Sequence, residues 1–388
     1  MAGWADLGNI WTTFKELDIR SIRDEAEKPL VLAFVGAAGV GKTTLIAALR
    51  HDQRSPWGDA RAREKVISPT IEADLVAAAR LGEADLTVLV LDATRGDFTA
   101  EAELFAEWKK SARDVLVFYN KMDAVTAADV LGTSLAAWSG ARVALGSAND
   151  PDSLATEFIP RVLDALSDKP LALARRYPLF RLAVARKLIN DTSVANATYS
   201  FSTGLAEAVP ALDIPFNVAD VVILTKNQAL MVYKLGLALG LSTRWQDHVV
   251  ELGGVVGAGF LWRQVARQLV GLIPVWGILP KVAVAYAGTY AVGEAIVRWY
   301  QTGHKVSGQG MRQLYADALA RGKQVAQTML ERAPRPAMPR VSRPALPPVK
   351  LPALPRSKGR VQFICPRCGR KNPSDAKFCA YCATALRE

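Results

Sequence analysis

Residues 36–43 read GAAGVGKT, directly after the apolar run LVLAFVG and at the head of the helix-like KTTLIAALR. No other feature constrains the fold of this chain as tightly. The glycines let the backbone curl until its N–H groups converge on an anion, and the following helix adds its dipole. In the G-x-x-x-x-G-K-[ST] pattern, Gly36, Ala37, Ala38, Gly39, Val40 and Gly41 form a phosphate cradle. Lys42 adds a point charge at the β/γ-phosphates, Thr43 can ligate Mg²⁺, and Thr44 completes the phosphate-contacting run. Such a loop works between a buried strand and a helix. Strand candidates recur at 86–93, 114–121 and 141–148 with helix-like stretches between them, which predicts a parallel sheet with helices on both faces.

NKMD, Asn120 to Asp123, ends an apolar strand seventy-eight residues beyond Lys42. Guanine presents N1–H and N2–H₂ together, and a carboxylate at Asp123 accepts both; adenine, with an acceptor at N1, would leave it unpaired. The GSA of residues 146–148 ends the next strand, where a backbone N–H is wanted near the base. With these motifs in this order, residues 28–167 resemble the Era-like GTPases of the translation-factor-related class. The resemblance implies a P-loop NTPase fold, GTP and GDP as ligands with Mg²⁺, guanine reading by Asn120, Lys121 and Asp123, and a pocket completed by Ser147 and Ala148.

That family also places D-x-x-G before the strand LTVLVLDA, the Asp supporting Mg²⁺ and the Gly sensing the γ-phosphate. No D-x-x-G stands between Lys42 and Asn120. The stretch that should carry it, VISPTIEADLVAAARLGEADL, reads as a shortened or rewritten switch loop. In it, Thr70 is a candidate switch threonine and Asp74 a candidate displaced Mg²⁺ carboxylate; Asp92, within DATRG, has the wrong spacing to substitute. With no placed γ-phosphate sensor, the expectation is nucleotide binding with weak or slow GTP hydrolysis and no assigned catalytic residue.

From about residue 168 to 331 the pattern changes to long helical segments. Residues 219–240 and 259–300 resemble the YcjF-type domain of unknown function found in bacterial inner-membrane proteins, which commonly follows an Era-like GTPase. The resemblance reaches back into FKELDIRSIRDEAEKP at the start of the chain. Residues 1–27 predict an amphipathic lead-in helix carrying Ile10, Trp11, Phe14, Leu17, Ile19 and Ile22. They lack a basic segment followed by an apolar one, so a cytoplasmic location is expected, at the face of the inner membrane.

Lys281 is the one charge between residues 269 and 292, a length that can span a bilayer. Ten Leu, Ile and Val residues favour insertion by about 3–6 kcal/mol, and a central lysine opposes it by about 2.5–3.5 kcal/mol. With Pro274 and Pro280 interrupting the run, a broken hairpin, a surface-embedded segment, a crossing and a buried core helix all stay open. Lys226, Asn227, Gln228, Arg263 and Arg267 suit caps and helix faces, and His51, His248 and His304 lie in no catalytic setting.

The four cysteines all fall at the C-terminal end, as Cys365-x-x-Cys368 and Cys379-x-x-Cys382. A disulfide framework for the main body is thereby excluded. Two such knuckles can hold tetrahedral Zn²⁺, structural because no position is left for a reactive water; a redox dithiol is the alternative. Residues 361–388 resemble the short bacterial zinc-ribbon family, with Ala383 where a glycine usually follows the last cysteine. Residues 332–360 form a Pro-rich basic linker. Residues 332–388 carry thirteen Lys and Arg against Asp375 and Glu388, which accounts for the whole formal charge of +11.

The expected whole is an α/β P-loop domain, an all-α hydrophobic domain and a small zinc ribbon. It would couple guanine-nucleotide state to recruitment at a membrane surface, through a protein partner of the ribbon. The alternative is a non-hydrolysing scaffold whose zinc ribbon and basic tail bind protein or RNA.

Overall fold

The computed structural model describes residues 19–51, 70–78, 84–126, 135–207, 218–244, 246–247, 278–332, 363–372 and 376–386. Residues 1–333 form one compact unit and residues 334–388 a second. Helix α1 (Arg20–Glu27), the described part of the lead-in, buries Ile22 and Ala26; the predicted apolar residues Ile10 to Leu17 lie outside the described residues.

Strands β1 (Leu32–Val35), β2 (Thr70–Ala73), β3 (Leu86–Asp92), β4 (Val115–Asn120) and β5 (Arg142–Leu145) form a parallel sheet in the order β2-β1-β3-β4-β5. Side chains alternate across its two faces. On one, Phe34, Val88, Val90, Leu116 and Phe118 pack against helix α2 (Lys42–Arg50), which contributes Leu45 and Leu49. On the other, Val35, Leu89, Leu91, Val117 and Tyr119 pack with Phe105 and Trp108 of α4 (Thr99–Lys110). Covered on both faces, β1, β3 and β4 are buried at every position, which is why they read as unbroken apolar runs. β2 corrects the sequence reading. The stretch read as a rewritten surface loop contains an edge strand paired with β1, Leu32 opposite Thr70 and Val35 opposite Ala73. It ends in a short helical turn, α3 (Leu75–Ala78).

After β5 the chain passes through α5 (Ile159–Ala165), α6 (Pro170–Arg176) and the tight turn Pro178–Phe180 into four long helices: α7 (Arg181–Glu207), α8 (Val218–Ala238), α9 (Ile278–Thr302) and α10 (Gly308–Arg332). As expected, no strand occurs among the described residues of this region. Its first part is welded to the sheet. Leu171, Tyr177, Phe180, Val184, Tyr233 and Leu237 share one apolar cluster with Leu45, Leu49 and the sheet. A chain of ring contacts runs from Phe118 to Phe158 at 5.1 Å, on to Phe180 at 6.5 Å and to Tyr177 at 6.4 Å.

Helix α9 is the core of the distal bundle. A Cβ on its Gly293 would lie 2.4 Å from Ile189 Cγ1 of α7, and one on Gly322 of α10 would lie 2.6 Å from the Ala283 carbonyl oxygen. Val282, Ala283, Tyr286, Ala287, Ala291 and Val292 are buried. The described part of residues 269–292 is thus a packed core helix, and the remainder lies outside the described residues. Among those that are described, no helix is long and apolar enough to cross a membrane. Gln228 and Asn227 belong to a cross-helix polar network: Thr289 Oγ1 accepts from Asn196 Nδ2 at 2.8 Å and Gln228 Nε2 at 3.1 Å, and Asn227 Nδ2 donates to Asn196 Oδ1 at 2.7 Å. Lys226 lies on the same helix; Arg263 and Arg267 fall outside the described residues, as does the linker beyond Arg332.

In the second unit, β6 (Phe363–Ile364) and β7 (Lys371–Asn372) pair antiparallel, and Phe378 bridges to Ala385.

Candidate functional site

Ligands of doubly wound sheets sit beyond the carboxyl ends of the strands, and the predicted residues gather there. The loop between β1 and α2 leaves the sheet at Gly36, where a Cβ would stand 2.3 Å from the Val90 carbonyl oxygen. Gly39 and Gly41 take φ of 77° and 98°, conformations costly for any residue with a Cβ. A Cβ at Gly41 would also stand 2.3 Å from Asn120 Nδ2. The loop curls over Lys42, which is buried and donates to the Gly36 and Ala37 carbonyls at 3.0 Å each and to Asp74 Oδ1 at 2.9 Å. Thr43 Oγ1 donates to Glu72 Oε1 at 2.7 Å.

Asp74, the candidate Mg²⁺ carboxylate, follows β2 directly and is followed by Leu75, Val76 and Ala77. The pairing of β2 with β1 is what brings it to the loop, a placement that spacing along the chain does not reveal. Thr43 and Asp74, together with Glu72, the one of the three that sequence reasoning missed, could hold Mg²⁺, all offering the hard oxygen donors that ion prefers. Thr70, the other switch candidate, is turned to the helical side: its Oγ1 lies 3.0 Å from the Tyr177 hydroxyl.

The base side is equally connected. Asn120 donates from Nδ2 to the Val40 carbonyl at 2.8 Å and accepts at Oδ1 from Ala148 N–H at 2.8 Å, tying the phosphate loop to the loop after β5. Lys121, held at φ 65°, donates to the Gly39 carbonyl at 3.0 Å and pairs with Asp92 Oδ2 at 2.6 Å. Asp123 is exposed in the turn Met122–Ala124, next to the hydrogen bond from Met122 N–H to the Gly146 carbonyl at 3.1 Å. Ser147 is buried, and its N–H reaches Ser153 Oγ at 3.2 Å. Ala38 and Thr44 lie in the loop and first turn of α2.

Asp92 is the second residue that sequence reasoning missed. Burial pushes its carboxyl pKa up, but hydrogen bonds from Lys121 and from the Thr94 side chain and N–H outweigh that and bring it below the ordinary value. The available clue was its place: β3 and β4 run in register, so Asp92 sits opposite Asn120 at the same sheet edge.

In the second unit the four cysteine Sγ atoms lie within 4.8 Å of one another. The pairs Cys365 with Cys382 and Cys368 with Cys379 are each 3.6 Å apart. That excludes a disulfide, whose sulfurs stand roughly 2 Å apart, and fits a tetrahedral zinc, for which Zn–S bonds of about 2.3 Å give edges of about 3.7–3.8 Å. The Tyr381 N–H leads in bringing the Cys379 thiol down to about 6; desolvation opposes it, and Cys382 N–H and Asn372 assist. Ala383 stands at φ 52°, a left-handed conformation that glycine adopts more readily than a residue with a Cβ.

Residues 364–386 match the zinc-ribbon domain family. Together with the geometry, this supports a structural Zn²⁺. Among curated proteins none matches the chain. Among solved structures, the chain is similar to the cytosolic domain of the T. maritima FeoB iron transporter in apo form, at 15% identity and a TM-score of 0.24, with 58% of this chain and 99% of that one covered. A superposition that loose supports no inference about ligand or activity.

Proposed function

We propose that this protein binds a guanine nucleotide with Mg²⁺ and relays occupancy of the site to its helical region. The observation that carries the reading is the double hydrogen bond of Asn120. It fixes the phosphate loop at Val40 and the base loop at Ala148 at one spacing, with Asp123 three residues on. Gly36 to Gly41 cradle the phosphates, Lys42 and Thr44 contact them, and Thr43, Asp74 and Glu72 hold the ion. Lys121 lies along the base, Asp123 accepts its N1–H and N2–H₂, and Ser147 and Ala148 close the pocket.

Hydrolysis is weak in this reading. Ala77 replaces the glycine that would sense the γ-phosphate, and Val76 beside it is an exposed apolar side chain with nothing to orient a water. The relay is supported by continuity: Thr43 touches the strand whose Thr70 bonds Tyr177, and α2 shares its apolar cluster with α6 to α8. The output assigned to this relay is recruitment of a protein partner at the cytoplasmic face of a membrane. What supports membrane contact is the apolar composition of the stretch from residue 269 to 292, read from the sequence.

The test is binding of labelled GTP, GDP and ATP, followed by single-turnover hydrolysis with and without liposomes. GTP and GDP should bind and ATP compete weakly. Lys42→Ala should abolish binding, and Asp123→Asn should trade guanine for xanthine nucleotides, because xanthine offers an acceptor where guanine offers its amino group. Equal affinity for ATP and GTP would overturn the reading. Tight GTP binding with no turnover in either condition would select the scaffold form of it.

A further inference from the structure

Seven large apolar side chains are exposed among the described residues, and four of them, Phe363, Ile364, Phe378 and Tyr381, fall in the short zinc ribbon. They are not needed to hold it together. Its interior is Cys365, Cys379 and Leu386, with Ala376 and Cys382 against them, around the metal site. Three rings therefore stand in water on a rigid metal-pinned module, at 38%, 64% and 61% exposure for Phe363, Phe378 and Tyr381. Arg370, from the first knuckle, sets its guanidinium 4.6 Å over the ring of Tyr381, from the second.

Charge points to the partner. Residues 361–388 carry five cations, Arg367, Arg370, Lys371, Lys377 and Arg387, against Asp375 and Glu388. The sequence of residues 333–362 adds seven cations and no acid, and the zinc tetrathiolate subtracts about two charges. A basic tail with exposed rings complements a polyanion that carries flat apolar groups along its length. An acidic peptide supplies the charge without the planar faces; a base-paired duplex hides those faces in its own stack.

We propose that the ribbon forms a docking surface for single-stranded nucleic acid. Unpaired bases stack on Phe378 and Tyr381, and Arg370, Lys371 and Lys377 meet the phosphates.

The experiment uses the full chain loaded with zinc and three probes: a labelled uridine-rich RNA strand of about 15 nucleotides, a duplex of equal length, and phosphatidylserine-containing vesicles, at about 50 and 200 mM salt. The strand should bind roughly tenfold or more tighter than the duplex, and affinity should fall with salt. Phe378→Ala and Tyr381→Ala should each weaken strand binding roughly fivefold or more with bound zinc unchanged, since base stacking on one ring carries at least that much. Phe378→Trp should retain it, which separates loss of stacking from loss of fold. Equal affinity for duplex and strand with no effect of the ring variants would reduce the surface to a non-selective polycation and overturn the proposal. Capture by vesicles in preference to RNA, or no binding to any probe, would overturn it as well.

Discussion

Asp92 shows how one carboxylate can matter to a site it does not enter. It grips Lys121 at 2.6 Å, and Lys121 also holds the Gly39 carbonyl, so the turn after β4 and the loop after β1 are braced through a single ammonium group. Lys121 is 39% exposed, so solvent screens part of the ion pair. Asp92→Asn is expected to weaken GDP and GTP binding by about 1 kcal/mol, roughly fivefold, by loosening Lys121. The pKa of Asp92 is depressed by its partners, so its contribution is full above the ordinary carboxylate pKa and is lost as pH falls through the lower folded value. Wild type and variant should therefore differ in nucleotide affinity at neutral pH and converge in acid; an equal difference at every pH would mean the substitution acts through packing. The loop at residues 36–43 and the NKMD turn stand out in the sequence because each is a contiguous motif. Asp92, Glu72 and the placement of Asp74 were not, because each depends on which strand lies beside which.

At the scale of elements, legibility followed burial. β1, β3 and β4 are covered on both faces and announce themselves as apolar runs, whereas β2, on the sheet edge, alternates Thr and Glu with apolar residues and is nowhere fully buried. Edge strands need only half a core, so their sequences look like loops. The apolar stretch within α9 misled in the opposite sense. A helix enclosed by its neighbours is apolar all round and cannot be told by composition from one meant for lipid. Its enclosure rests on close backbone approach. A side chain at Gly322 would meet the Ala283 carbonyl, which cannot swing aside, whereas one at Gly293 would meet the tip of Ile189, which can. Gly322→Leu is therefore expected to cost about 1–3 kcal/mol and lower the melting temperature by about 1–4 °C, with Gly293→Ala costing less. Thermal melts of the two variants beside wild type check the order, and a Gly322→Leu protein as stable as wild type would mean that α9 and α10 are not packed this closely.

At the scale of the molecule, the change of pattern near residue 168 is real but marks no seam. Strands stop there, yet the same apolar cluster continues: Leu45 and Leu49 of the phosphate-loop helix pack in one core with Leu171, Tyr177, Phe180, Val184 and Tyr233. Sequence periodicity identifies which residues are buried but not what buries them, so α2 reads as a helix that could belong to a self-sufficient α/β domain. Cutting the chain after residue 167 would expose the face of α2 that Phe180 and its neighbours cover and remove the hydroxyl that holds Thr70. A contiguous patch of that kind is an aggregation surface on an isolated domain. A fragment ending at residue 167 should accordingly aggregate or melt without cooperativity, whereas one ending at residue 333 should melt in a single transition that GTP raises, because ligand binding to the native state alone adds stability. A soluble 167-residue fragment with a sharp transition and undiminished GTP affinity would separate the sheet from the helices energetically, and with that separation the relay through Tyr177 would lose its physical basis.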